Sequence, residues 1–148
     1  MDVTLYQPDI AQNLGAVMRL GACFQINIGI IEPCGFPLTT KALRRTAMDY
    51  GQPDDLIRYQ SWDDYSASAP GRIVLFSTKA ATRLGKFDFQ ASDRLLFGRE
   101  SAGVPETVHA ACHERVIIPI STDVRSFNLA TSAAIGLYEA LRQTGGLP

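Results

Sequence analysis

Three cysteines, one tryptophan and two histidines in 148 residues leave few of the side chains that usually bind metals or form staples. Cys23, Cys34 and Cys112 are too few and too irregularly spaced for a disulfide framework, so reduced, mostly buried thiols of a cytoplasmic protein are expected. Charge of one sign is equally scarce. Fourteen basic and 15 acidic side chains give a formal net charge of −1, which argues against a surface coated with positive charge for indiscriminate nucleic-acid binding. A local basic site stays open: Lys41, Arg44 and Arg45 lie close together, and Arg19, Arg99 and Arg125 fall in segments considered below. No apolar run approaches the length of a membrane span, and no basic stretch followed by an apolar one opens the chain, so neither a membrane segment nor a secretory signal is expected. What is present is ordinary for a globular protein, with 46% hydrophobic and 20% charged residues. The length suits one domain over residues 1–148, burying about two-thirds of its unfolded surface.

Strand-like and helix-like segments alternate along the chain. Val3 to Tyr6, Ile26 to Ile31, Leu56 to Tyr59, Arg72 to Ser77, Arg94 to Phe97 and Val116 to Ile120 read as strands. Asp9 is placed to cap a helix from Ile10 to about Phe24, whose apolar stripe is Ile10, Leu14, Val17 and Leu20. Thr39 or Thr40 can cap a second helix running to about Tyr50, and Ser61-Trp62-Asp63-Asp64 resembles a capping box with Asp in place of Glu. Thr78 to Gln90 is expected to be loop with at most a short helix or strand. Pro105 suits the first residue of a helix to Cys112, and a closing helix runs from about Asn128 to Thr144, stopped by Gly145-Gly146. The pattern predicts an α/β fold, a mainly parallel sheet with helices on both faces. In such sheets ligands bind beyond the carboxyl ends of the strands, which directs attention to the loops after Ser77, Gly98 and Pro119.

Familiar motifs are absent. No G-x-G-x-x-G follows the first strand, since Gln7-Pro8-Asp9 stands there. Gly98 and Gly103 have the glycine spacing of a P-loop, but Val104-Pro105 replaces the phosphate-binding Lys-Ser/Thr. Ser101 lacks the flanking glycine of a nucleophile elbow because Arg99 occupies that place. His109 and His113 are four apart on the helix expected there, beside Cys112, but Ala110 stands where a zinc protease has its glutamate. A solvated face outweighs a metal site, and no metal is expected.

Three segments remain. Asn13 and Arg19 place polar groups on an otherwise apolar helix, although taken alone Arg19 is better explained by pairing with a surface carboxylate. The run Leu95 to Glu106 ends a buried strand in a loop bracketed by Gly98 and Gly103, where a ligand can approach the backbone; an ordinary strand–helix turn is the competing explanation. Third, the apolar strand ending at Ile120 empties into Ser121 to Phe127, then into Asn128-Leu129-Ala130-Thr131-Ser132-Ala133-Ala134. Tight core packing explains Ala133, Ala134 and Gly136 but explains Ser126 and Asn128 less well.

Taken in this order, the three segments resemble the SpoU-type (SPOUT) RNA 2′-O-ribose methyltransferases. The match is closest to small single-domain members that methylate the wobble ribose of tRNA. The resemblance spans the chain through Leu5-Tyr6-Gln7-Pro8, Ile31-Glu32-Pro33-x-Gly35-Phe36, Leu43-Arg44-Arg45, Asp49-Tyr50, Phe97-Gly98-x-Glu100-x-x-Gly103-x-Pro105, Arg125-Ser126-x-Asn128-Leu129 and Tyr138-Glu139-Ala140-x-Arg142-Gln143. It implies a C-terminal trefoil knot, a homodimer with the active site near the subunit interface, and S-adenosylmethionine bound among three loops. Carried over by position, Phe76, Ser77, Thr78, Gly98, Glu100, Gly103, Ile118, Ile120, Ser126 and Leu129 would hold the cofactor. Arg19 would orient the ribose hydroxyl or steady the adjacent phosphate, with Tyr138 as a second contact to the reacting nucleotide. Asn13, Glu100 and Asn128 would organise the site. Relatives often carry Pro where this chain has Arg99. The implied substrate is the anticodon stem-loop of tRNA; ribosomal RNA, or a non-catalytic RNA-binding role, are the alternatives.

Overall fold

The structure, a computed structural model, describes residues 1–39 and 56–148. The helix expected from Thr39 or Thr40 to Tyr50, together with Lys41, Arg44 and Arg45, lies almost wholly outside the described residues. In chain order the elements are β1 (Asp2–Tyr6), α1 (Ala11–Phe24), β2 (Asn27–Ile31), β3 (Leu56–Tyr59), α2 (Trp62–Ala67), β4 (Ile73–Phe76), β5 (Thr82–Arg83), a 3-10 turn (Leu84–Lys86), β6 (Arg94–Phe97), α3 (Glu106–Ala111), β7 (Glu114–Ile117) and α4 (Leu129–Thr144).

The strands form one seven-stranded sheet in the order β3-β2-β1-β6-β4-β7-β5. Every pairing is parallel, from Leu5 beside Phe97 to Phe76 beside Val116. The near-continuous apolar strands follow from this, because both faces are covered. Alternate residues sort into two cores. Val3, Leu5, Ile28, Ile30, Val74, Phe76, Leu95 and Phe97 face one side with Leu14 and Val17 of α1 and Leu129, Ala133 and Leu137 of α4. Tyr6, Ile31, Ile73, Leu75 and Leu96 face the other with Tyr65 of α2 and Val108 of α3. Helix α4 lies close on the sheet at Gly136, where an added Cβ would come within 2.6 Å of the Phe76 ring.

Several boundaries differ from the sequence expectation. Helix α1 starts at Ala11 with Ile10 in the capping position, and Asp9 does not cap it, because its carboxylate is engaged elsewhere. Strand β7 starts two residues early and stops at Ile117 rather than Ile120. Its pairing to β4 ends at Val116, and Pro119 has no N–H to extend a ladder. Both a strand and a 3-10 turn occur between Thr78 and Gln90. Ser61 does cap α2 by accepting from the Asp64 amide, while Asp64 accepts from Gln60 rather than from Ser61.

Candidate functional site

The loops leaving β4, β6 and β7 converge at the carboxyl end of the sheet around a cleft of about 260 Å³. Phe76, Ser77 and Thr78 line it from the first loop, Gly98, Glu100 and Gly103 from the second, and Ile118 and Leu129 from the third segment. Ile120 and Ser126, also expected there, are not among its walls. Ser126 is exposed, and Ile120 lies beyond the end of β7, which stops three residues earlier than anticipated.

The second loop closes on itself. The Arg99 amide donates to the Gly103 carbonyl (3.0 Å) and the Gly103 amide to the Arg99 carbonyl (2.8 Å). Gly103 has φ +67°, a conformation that disfavours a Cβ. A Cβ on Gly98 would lie 2.6 Å from the Gly103 backbone, so both glycines are required by this turn. The bracketed loop expected from the sequence is therefore a built feature.

A chain of side-chain hydrogen bonds ties this loop to the first and last helices. Asn13, buried on α1, donates to Glu100 Oε1 (2.7 Å), and Asn128 Nδ2 donates to Asn13 Oδ1 (2.9 Å). Asn128 Oδ1 accepts from the amides of Ala130 and Thr131, capping α4. Glu100 Oε2 accepts from the Asp9 amide (2.8 Å). Asp9 in turn accepts from the guanidinium of Arg99 and from both the amide (3.0 Å) and hydroxyl (2.6 Å) of Ser101. The hydrogen bonds from Arg99 and then Ser101 hold the Asp9 carboxyl well below the usual carboxylate range. Three residues separated by up to 115 positions, Asn13, Glu100 and Asn128, thus meet in one hydrogen-bonded chain.

Arg19 and Tyr138 do not join them. Both are exposed, and neither lines the cleft; Tyr138 lies edge-on to Phe24 of α1 and borders a separate apolar groove with Leu84, Pro119 and Ile135. Sequence reasoning missed Asp9, Lys79, His109 and Ser132 as neighbours of the cleft. Asp9 resembled an N-cap, whereas Ser132 belonged to the small residues at the start of α4, a usable signal. His109 and His113 do not share a helical face, because α3 ends at Ala111. His113 is exposed, as expected, but its Nδ1 accepts from the Ile73 amide and so closes a strand end. No group of three or more His, Cys, Asp or Glu residues suited to a metal occurs among the described residues. Burial pushes the Cys34 and Cys112 thiols up to about 11, so neither is a thiolate at neutral pH, while Cys23 is exposed rather than buried. The cleft offers strand-end backbone groups, the aromatic walls Phe76 and Phe97, and a carboxylate already engaged by Asp9 and Asn13. It is built to bind and orient a ligand.

Residues 1–138 match the model of the SpoU rRNA Methylase family. The chain belongs to this family. The SpoU protein is 48% identical over 98% of its length to a tRNA (cytidine(34)-2'-O)-methyltransferase of Beijerinckia indica, covering 92% of that protein. It is 33% identical to the enzyme of the same name from Escherichia coli K12, covering 98% of this chain and 94% of that one. A solved structure concerned with 2-OH methylation of C/U34 on tRNA superposes with a TM-score of 0.90 at 38% identity, over 96% of this chain and 94% of that one. The SpoU methyltransferase AviRb of Streptomyces viridochromogenes, in complex with AdoMet, shares the fold with a TM-score of 0.79 at 22% identity, over 97% of this chain and 57% of that one.

Proposed function

We propose that this SpoU protein transfers a methyl group from S-adenosylmethionine to the ribose 2′-hydroxyl of the wobble nucleotide, C34 or U34, of tRNA. The observation that carries the reading is the Glu100–Asn13–Asn128 chain tying the cleft loop after β6 to α1 and α4, in a protein nearly half identical to a named tRNA (cytidine(34)-2'-O)-methyltransferase. The cleft residues fit the cofactor. Gly103 leaves its backbone approachable, with nothing within 4 Å of where a Cβ would stand, Phe76, Ile118 and Leu129 give an apolar wall, and Ser77 and Thr78 supply polar groups. When bound, S-adenosylmethionine supplies a methyl group activated by its sulfonium. The chain's task is then to align and exclude water, since in-line attack by a poor nucleophile depends on near-attack geometry.

The homodimer belongs to the same proposal. Neither Arg19 nor Tyr138 lines the cleft of its own chain, and Tyr138 is 51% exposed. A second copy packed against α1 and α4 would bring these two residues of one chain to the cleft of the other. Arg19, with the fixed fork of donors of a guanidinium, would steady phosphate and orient the hydroxyl. The C-terminal trefoil knot, the single domain over 1–148 and a cytoplasmic location complete the reading.

Incubation with labelled S-adenosylmethionine and unmodified tRNA, followed by nucleotide-resolution mapping, tests the proposal. Label on the ribose of nucleotide 34 is expected; label on no ribose would overturn it, and label on ribosomal RNA alone would change the substrate. Arg19→Ala is expected to abolish transfer while cofactor binding persists in calorimetry.

A further inference from the structure

We propose that Asp9 is a positioning residue of the cleft, whose carboxylate locks the loop from Gly98 to Gly103 in the shape that receives S-adenosylmethionine. The inference rests on the functional reading above, because that loop forms one wall of the proposed cofactor site.

Asp9 stands directly before α1, where an aspartate ordinarily caps the helix. Here the helix starts without any side-chain cap, and Asp9 gives both carboxylate oxygens to the loop 90 to 92 residues away. One oxygen accepts from the Arg99 guanidinium, the other from the Ser101 amide and hydroxyl. The loop returns the bond, since Glu100 accepts from the Asp9 amide and from Asn13. Three consecutive loop residues are therefore held from one side by Asp9 and its neighbours. Asp9 is itself fixed from behind: the Gly35 amide donates to the Pro8 carbonyl (2.9 Å), and a Cβ at Gly35 would come within 3.0 Å of the Asp9 Cα.

The lock matters because Asn13 ties only the middle of the loop, at Glu100, while Ser101, Ala102 and Gly103 are exposed. The two ends of the loop are joined by the pair of backbone bonds between Arg99 and Gly103. A loop that opens must be reordered by each incoming ligand, which lowers apparent affinity by the fraction of molecules in the receptive shape. Arg99 lines the cleft and spends its guanidinium on the Asp9 carboxylate behind the loop.

Calorimetric titration of the full chain with S-adenosylmethionine and with S-adenosylhomocysteine tests the lock, alongside steady-state methylation of tRNA. Asp9→Ala is expected to weaken both ligands about tenfold and raise the cofactor KM equally, with kcat at saturation within about twofold. Asp9→Asn keeps one acceptor for Ser101 and is expected to lose about threefold. Should Asp9→Ala fail to fold, the paired variant Arg99→Ala/Ser101→Ala removes the same bonds from the loop side and should reproduce the tenfold loss. Adding Asp9→Asn to that pair should then cost nothing more. A folded Asp9→Ala protein with lowered Tm but unchanged affinity would overturn the proposal, as would a fall in kcat at unchanged KM. A wild-type chain that binds neither ligand would overturn the functional reading itself.

Discussion

The two ends of the central sheet use the same chemistry for opposite ends. At the amino ends of the strands, Asp93 is completely buried and takes two hydrogen bonds of 2.8 Å from Arg72, while Arg94 is 2% exposed. Arg94 donates to the carbonyls of Tyr65 and Ala69 and to the Ser68 hydroxyl, with its guanidinium 4.1 Å from the centre of the Tyr65 ring. These groups tie the C-terminal end of α2 to the sheet. At the carboxyl ends, Asp9 and Arg99 also pair, but their side chains keep 21% and 32% of their exposure. Their bonds shape a wall facing open space. Burial makes one network a fastening; partial exposure makes the other a scaffold for binding.

Substitutions can break this contrast, and the largest effect is expected at the fastening. Arg94→Ala should cost about 3 kcal/mol in urea-induced unfolding, since it strands buried carbonyls and leaves Asp2 without its cationic neighbour. Cofactor affinity per folded molecule should stay unchanged. Gly98→Ala should do the reverse. Its Cβ must displace the Gly103 backbone, so S-adenosylmethionine affinity should fall about a hundredfold, equal to about 2.7 kcal/mol, in a protein that still folds. Asn128→Ala lies between the two, losing about 1 kcal/mol of stability with the α4 cap and about tenfold in methyl transfer with the bond to Asn13.

The smallest effect is in acid, where the two ends should respond with opposite sign. The Asp9 carboxyl is lowered from its ordinary 3.8, and Glu139, bonded by Arg142 and Gln143, is lowered to about 2. Both contribute stability that is present above the unfolded values and lost as pH falls toward the folded ones. Asp2 is raised by burial, so the folded state takes up its proton first and this carboxyl adds stability as pH falls. Below pH 3.8, Asp9→Asn should flatten the decline of the urea midpoint, whereas Asp2→Asn should steepen it only above 3.8, where the folded state alone has taken up the proton. Each change should stay below about 1 kcal/mol, because the pairs at the carboxyl end are partly solvated.

Much of this architecture was readable along the chain. The β-branched and leucine-rich runs name the strands because both sheet faces are covered, and the two glycines at 98 and 103 mark a turn that admits no side chain. The resemblance likewise placed Asn13, Glu100 and Asn128 in one site, and they are hydrogen-bonded together. What could not be read is pairing across distance. Asp9 has the sequence position of a helix cap, and only the approach of a loop 90 residues away decides that its carboxylate leaves the helix. His109 and His113 have helical spacing, yet α3 ends between them because Cys112 adopts an extended backbone. Ile120 was expected on a strand that in fact ends before Pro119.

The sequence alone determined the composition of a single α/β sheet with two apolar faces, the order of its elements and the small-residue start of α4, because these depend on periodicity and local backbone preference. Tertiary structure decided which charges are buried and which line a cleft. It put Arg94 under the sheet, Asp9 on the loop wall and Arg19 and Tyr138 away from their own cleft, since each outcome depends on which distant segment packs alongside.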